Sequence, residues 1–294
     1  MDTPRGVARL LSQVEGGSRQ ARYAIKDLEI GKARVIGLTG APGVGKSTVT
    51  GALIEQFRAA GQRVGVLAID PSSPFSGGAL LGDRIRMQQH ATDKGVFIRS
   101  MASRGHLGGL AAATPQAVRV LDAAGYDIIL IETVGVGQAE VAIASAADSV
   151  IVLLAPGMGD AVQAAKAGIL ETGDVFVVNK ADKPDVQEVV RDLRGMLAMG
   201  SWNAGWKPPI VCTVGSSGEG MAEVVAALNA HWEWLNSSGE LDRRRLARAR
   251  EEIMALALGA LRSRLADRDV DSLAARVAAG ALDPFTAADE LLRG

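Results

Sequence analysis

The chain has a single cysteine, Cys212, three histidines (His90, His106 and His231), and no run of about 18 apolar residues. One cysteine excludes a disulfide framework and makes the cytosol the natural compartment. The histidines are scattered, so no Cys/His spacing suggests zinc or nickel. Without a long apolar run there is no candidate membrane span, and the start MDTPRGVARLLSQVEGG lacks the basic and apolar regions of a signal peptide. An excess of one charge is missing too. Thirty-two basic residues face 33 acidic ones, which gives no global argument for nucleic acid or for an anionic membrane. The expectation is a soluble cytoplasmic protein. Arg243-Arg244-Arg245 reads as a solvated helix face, and Trp202, Trp206, Trp232 and Trp234 read as packing residues.

What the chain does contain is an alternation. With 294 residues the prior is one or two domains. Residues 1–30 read as one or two short helices, with Val7, Leu10, Leu11 and Val14 at helical spacing and Gly16-Gly17 as a break. Apolar, β-branched runs then follow at 35–38, 64–69, 96–98, 128–131, 150–154, 175–178 and 210–214. Helical segments separate most of them, at 48–60, 114–124, 160–171, 185–199 and 219–235. Short, nearly continuous apolar strands alternating with helices predict an α/β fold, a mostly parallel sheet covered on both faces. The strand signal stops near residue 236, so residues 31–235 read as the nucleotide-binding domain and 236–294 as a helical arm. Met254, Leu258, Leu261 and Leu265 line one face of that arm. Asp283-Pro284 predicts the start of a last helix. An apolar stripe without a core of its own must pack on something, either its own domain or a second copy, and the dimerisation arm is the favoured reading.

Two motifs carry the chemistry. Gly40-Ala41-Pro42-Gly43-Val44-Gly45-Lys46-Ser47-Thr48 fills the pattern GxxxxGK[ST] between a predicted strand and a predicted helix, the context this phosphate-binding motif requires. Its backbone N–H groups and the helix N-terminus converge on phosphates. Lys46 is placed to reach the β- and γ-phosphates and Ser47 to ligate Mg²⁺. Asn179-Lys180-Ala181-Asp182 follows an apolar strand and reads the base. The Asp182 carboxylate can accept both N1–H and the exocyclic amine of guanine, a donor pair that adenine lacks. Together the motifs predict GTP.

Acidic residues at strand ends complete the expected metal shell: Asp70 before Pro71, Glu132 closing YDIILIE, and Asp83 in GGALLGDRIRM. Mg²⁺ keeps several waters, so part of this shell is expected to act through water. Glu132-Thr133-Val134-Gly135 occupies the place of a DxxG sequence, which lets the Gly135 N–H sense the γ-phosphate. The position after that glycine, often a water-orienting glutamine, is Val136, and Gln138 is the nearest substitute. Slow intrinsic hydrolysis that depends on a partner or on a conformational change follows. Ala155-Pro156-Gly157-Met158-Gly159-Asp160, ahead of a predicted helix carrying Lys166, reads as a segment able to reorganise.

GAPGVGKST, LAIDPSSPFSGGALLGDRIRM, SRGHLGGLA, ETVGVGQAE, APGMGDAVQAAKAGI and VVNKAD, in this order, resemble the MeaB/ArgK group of P-loop GTPases, a family that includes the human methylmalonic aciduria type A protein. The resemblance covers roughly residues 7–235 strongly and the helical tail more loosely. It implies a G domain of the SIMIBI class, in which the strand ending at Asp70 runs parallel to its neighbour. It also implies a homodimeric GTPase that acts as chaperone of an adenosylcobalamin-dependent acyl-CoA mutase, chiefly methylmalonyl-CoA mutase, gating cofactor loading and protecting the enzyme. By position, the Mg²⁺ shell falls on Ser47, Asp70, Asp83 and Glu132. The partner-responsive switch falls on residues 157–166, with Lys166 assisting hydrolysis. Ala161 stands where a second acid is common, and Val214-Gly215-Ser216 takes the place of the guanine-capping segment. Two rival readings are a kinase or transport-associated ATPase, disfavoured by the guanine motif, and a metal-delivery GTPase, disfavoured by the missing Cys/His cluster.

Overall fold

A computed structural model describes residues 3–16, 18–26, 28–29, 31–70, 90, 92–102, 113–133, 143–157, 172–199, 205–266 and 268–293. Its strands are β1 (Arg34–Thr39), β2 (Val64–Asp70), β3 (Val96–Ala102), β4 (Ile128–Thr133), β5 (Ser149–Leu154), β6 (Val175–Asn179) and β7 (Ile210–Thr213). They form one sheet in the order β3-β2-β4-β1-β5-β6-β7, and every neighbouring pair is parallel. β2 runs parallel to both of its neighbours, as the resemblance implied. The described helices are α1 (Pro4–Glu15), α2 (Arg19–Lys26), α3 (Lys46–Ala59), α4 (Thr114–Ala123), α5 (Val186–Met199), α6 (Met221–Ser238), α7 (Glu240–Ala266), α8 (Val270–Ala278) and α9 (Pro284–Arg293).

Each central strand is buried on both faces because its residues alternate between two cores. Val35, Ile129, Ile131, Val150, Val152, Phe176 and Val178 pack with α1, α4 and α5. Ile36, Leu38, Leu130, Ile151, Leu153 and Val177 pack on the other side with α3 and α6. The four apolar positions read in the first helix, Val7, Leu10, Leu11 and Val14, are the ones α1 buries, and the helix stops at Gly16. β3 runs to Ala102, four residues beyond its apolar run of 96–98. The extension carries Arg99, which pairs with Glu15 of α1, and Met101, which is fully buried, so this polar edge strand is held by a charge partner as well as by one core side chain.

The chain divides into two compact units, Met1–Arg244 and Arg245–Gly294. α7 runs unbroken through the division for 27 residues. In the second unit α9 begins at Pro284, with the Asp283 carboxylate accepting from the N–H of Phe285 and of Thr286 at 3.0 Å each, the cap its sequence predicted. Among the described residues no helix is long and apolar enough to cross a membrane.

A buried polar cluster closes the N-terminal edge of the sheet. Arg244 donates to both oxygens of Asp174, at 2.9 Å each, and to the carbonyl of Asp148 at 3.0 Å. His231 hydrogen-bonds Ser149 through Nδ1 at 2.8 Å, while its Nε2 lies 3.3 Å from Asp174 without hydrogen-bonding alignment. Trp206 and Trp234 cover the imidazole, with ring centroids 4.8 and 5.5 Å away, and Arg34 stands 5.4 Å over Trp232. These three tryptophans are packing residues; Trp202 lies outside the described residues. Ser149, His231 and Asp174 come in the order of a hydrolase triad, but Ser149 and His231 have no solvent exposure and lie at the edge away from the phosphate loop.

Burial opposes ionisation of Asp174, yet His231 and the paired bonds from Arg244 outweigh it and hold its pKa below the ordinary carboxylate value. A depressed folded-state pKa contributes stability that is complete above the unfolded-state value and is lost as pH falls through the folded one. Arg244→Ala leaves a buried carboxylate without its main partner and is expected to cost about 3–5 kcal/mol at neutral pH. Urea unfolding should show the deficit shrinking below about pH 4, where the aspartate of the unfolded chain takes up a proton. An equal deficit at pH 7 and pH 3.5 would contradict this account.

Candidate guanine nucleotide site

β1 and α3 are joined by the glycine-rich loop, and two of its glycines are held by geometry rather than by composition. Gly40 has φ of 143°, and a Cβ there would stand 2.3 Å from the carbonyl oxygen of Leu153 on β5. Gly45 has φ of 97°, and a Cβ would stand 2.4 Å from the amide nitrogen of Asn179. Gly45 is also the N-cap of α3 and brings no side-chain oxygen to it. The N–H groups of the first helical turn are therefore directed at the loop's concave side, where an anion is favoured. Lys46 Nζ donates to the carbonyls of Gly40 at 2.7 Å and Ala41 at 3.0 Å. Ser47 and Lys46 are buried, whereas Pro42, Gly43 and Thr48 face solvent.

Parallel pairing brings the other strand ends to the same edge. Glu132 on β4 stands in register with Leu38 of β1 and Ala68 of β2, and Asp70 ends β2 two residues further on. The Glu132 carboxylate is buried and accepts from Ser47 Oγ at 2.6 Å and Thr50 Oγ1 at 2.9 Å. Thr50 was not singled out in the sequence. The available signal was its position three residues after Ser47, which puts both hydroxyls on one face of α3.

Asn179, the last residue of β6, braces the phosphate loop, the end of β7 and the turn that follows it. Its Nδ2 donates to the Val44 carbonyl at 2.8 Å, and its Oδ1 accepts from Gly215 N at 3.0 Å and Thr213 Oγ1 at 3.2 Å. Lys180, with φ of 59°, donates from Nζ to the Gly43 carbonyl at 2.8 Å. Ala181 N bonds the Thr213 carbonyl at 2.9 Å, and Asp182 is exposed beside this joint. Val214, Gly215 and Ser216 form the facing turn, closed by a bond from Val214 N to the Glu219 carbonyl at 3.0 Å. The phosphate loop, the 179–182 segment and the 214–216 turn are thus one hydrogen-bonded assembly. Asp83, Gly135, Gln138 and Lys166 lie outside the described residues, as does the side chain of Asp70; Gly157, with φ of 77°, ends the described part of the loop after β5.

Among the described residues no group of three or more His, Cys, Asp or Glu could hold a metal ion. The donors at hand are the hydroxyl of Ser47 and the carboxylate of Glu132, 2.6 Å apart. Two hard oxygen ligands suit Mg²⁺, which takes few protein groups and keeps its waters.

A parallel sheet with a phosphate loop between β1 and α3, tied to an Asn-Lys-x-Asp segment at the end of β6, defines a P-loop GTPase. The chain belongs to the family described as methylmalonyl Co-A mutase-associated GTPase MeaB, whose pattern it matches over residues 7–269. It binds guanine nucleotide and hydrolyses GTP, as its family does. It is 46% identical to a putative GTPase of Pyrococcus abyssi, over 98% of this chain and 92% of that protein. Identity to the mitochondrial methylmalonic aciduria type A homolog of Mus musculus is 35%, over 88% of this chain and 64% of that protein. Among solved structures, one described as an LAO/AO transport system kinase superposes with a TM-score of 0.72 at 26% identity, covering 97% of this chain and 91% of that one. HypB from Helicobacter pylori, solved with nickel, shares the fold alone, at a TM-score of 0.50 and 19% identity over 78% of this chain and 96% of that one.

Proposed function

We propose that this GTPase is a chaperone of an adenosylcobalamin-dependent acyl-CoA mutase, with methylmalonyl-CoA mutase as client, and that GTP hydrolysis gates cofactor loading and protects the mutase. The observation that carries the reading is the match to a mutase-associated family across residues 7–269, which spans the phosphate loop, ETVGVGQ, PGMGD and the guanine motif in one chain. We take the protein to act in the cytoplasm, where a chain with a single cysteine and no disulfide framework is at home.

In this reading residues 40–48 cradle the phosphates, and Lys46 exchanges two loop carbonyls for the more strongly accepting β- and γ-phosphate oxygens. Ser47 and Glu132, with Asp70 and Asp83, hold Mg²⁺, which when bound neutralises charge developing on the phosphoryl oxygens. Asp182 reads guanine, the N–H groups of Val214, Gly215 and Ser216 meet the guanine oxygen, and the Gly135 N–H senses the γ-phosphate. Asn179 and Lys180 link base to phosphate by bracing the loops that hold each. The helical arm serves a homodimer: Met254, Leu258 and Leu261 on α7 are 41–59% exposed, an apolar row that a second copy would cover.

Docking of the mutase would reorganise residues 157–166 and bring Lys166 to the γ-phosphate, where a cation offsets transition-state charge. Saturating mutase is therefore expected to raise GTP turnover, and Lys166→Ala to abolish most of that rise while sparing GTP affinity and the slow basal rate. Absence of stimulation by purified methylmalonyl-CoA mutase, together with failure to co-purify, would remove the client assignment. Full stimulation of the mutant would instead reassign the delivered charge to the partner, or the water-orienting role to Gln138.

A further inference from the structure

We infer that Thr50 is a positioning residue of the hydrolytic site: its hydroxyl fixes the Glu132 carboxylate in the orientation from which that carboxylate serves the magnesium shell. The inference rests on the reading of Ser47 and Glu132 as part of that shell and goes one layer beyond it.

Thr50 has no solvent exposure and Glu132 is 3% exposed, so bulk water cannot solvate the carboxylate and protein donors have to. Two hydroxyls from one face of α3 do so, one on each oxygen. Ser47 Oγ bonds Oε1 at 2.6 Å and Thr50 Oγ1 bonds Oε2 at 2.9 Å. Holding both oxygens fixes the plane of the carboxylate as well as its position. Thr50 Oγ1 also lies 3.0 Å from the Lys46 carbonyl, the back-bond a helical threonine ordinarily makes. A hydroxyl has one proton, and of its two acceptors the carboxylate makes the stronger, charge-assisted bond. The carboxylate comes from a strand far away in sequence, so local helix geometry does not account for this contact.

The two hydroxyls are not equivalent. With Mg²⁺ bound, Ser47 would offer an oxygen lone pair to the cation, and its hold on the Glu132 carboxylate would no longer be its only task. The Thr50 hydroxyl stays on Oε2 and keeps the carboxylate from rotating away. Thr50 has no solvent exposure, and valine keeps nearly its shape while lacking the hydroxyl. The side-chain volume thus needs no hydroxyl, whereas the carboxylate does.

The test is the Mg²⁺ concentration at which the full-length protein retains a fluorescent, non-hydrolysable GTP analogue. Outer partners of metal ligands are worth about 10- to 100-fold in metal affinity, so Thr50→Val is expected to raise the half-maximal Mg²⁺ concentration at least about tenfold. Affinity for the analogue in EDTA should be unchanged. At saturating Mg²⁺, KM for GTP should hold while kcat falls. Thr50→Ser and Thr50→Ala both lose the methyl group and differ in the hydroxyl, so their comparison isolates the hydroxyl even where valine perturbs folding. The serine variant should need Mg²⁺ as wild type does and the alanine variant as valine does. Equal Mg²⁺ requirements in the serine and alanine variants overturn the inference and leave the shell reading intact. A wild-type protein that holds the analogue equally in Mg²⁺ and EDTA overturns both.

Discussion

Lys46→Ala is expected to weaken GTP binding and turnover by about 100- to 4,000-fold while the chain melts nearly as wild type does. Removing one partner of a buried, hydrogen-bonded charge pair costs about 3–5 kcal/mol, and each 1.4 kcal/mol is about tenfold in affinity. In the nucleotide complex that partner would be the phosphate chain, which alanine would leave facing backbone N–H groups alone. The folded chain loses much less. Here Nζ bridges the Gly40 and Ala41 carbonyls, and Ala41 is partly exposed, so water can replace the ammonium at one of them. Titration calorimetry with GTP and a melting curve on the same sample separate the two effects. Retained turnover with a sharp, wild-type melt would show that phosphate binding does not depend on Lys46.

Asp182→Asn is expected to reverse base preference. An amide at this position keeps one acceptor for guanine but turns a donor towards the other guanine N–H. Leaving such a group unpaired costs about 1–3 kcal/mol, or roughly ten- to a hundredfold in GTP affinity. The same donor meets the additional carbonyl of xanthine, so xanthosine triphosphate should gain where GTP loses. Because Asp182 is exposed, the substitution should leave stability unchanged. Competition of GTP, ATP and xanthosine triphosphate against a fluorescent guanine nucleotide measures the switch. Wild-type GTP affinity in the mutant would mean that Asp182 does not read the base.

Much of the site was legible because its signals are local. GxxxxGK[ST] needs glycines at set positions for a backbone that no other residue adopts without strain, and Gly40 and Gly45 meet that need with close neighbours as well as positive φ. The five inner strands were legible because a parallel strand buried on both faces must be short and apolar throughout. β3 was read too short for the same reason: Arg99 and Ser100 interrupt its apolar run, and the residue that compensates, Glu15, is far away in sequence.

Sequence alone therefore determined the kind of fold, the phosphate loop, the guanine motif and the family, since each depends on residue types at fixed short spacings. Tertiary structure decided what those residues do for one another. The strand order, with β4 inserted between β1 and β2, sets Glu132 against Ser47 and Thr50, an adjacency that no spacing encodes because parallel strands are joined through long crossovers. Asn179 became the brace between the phosphate loop and the turn after β7, and Asp174, His231 and Arg244 became one buried cluster. In each case a buried polar atom must find a partner, and the fold alone determines which distant side chain lies within reach.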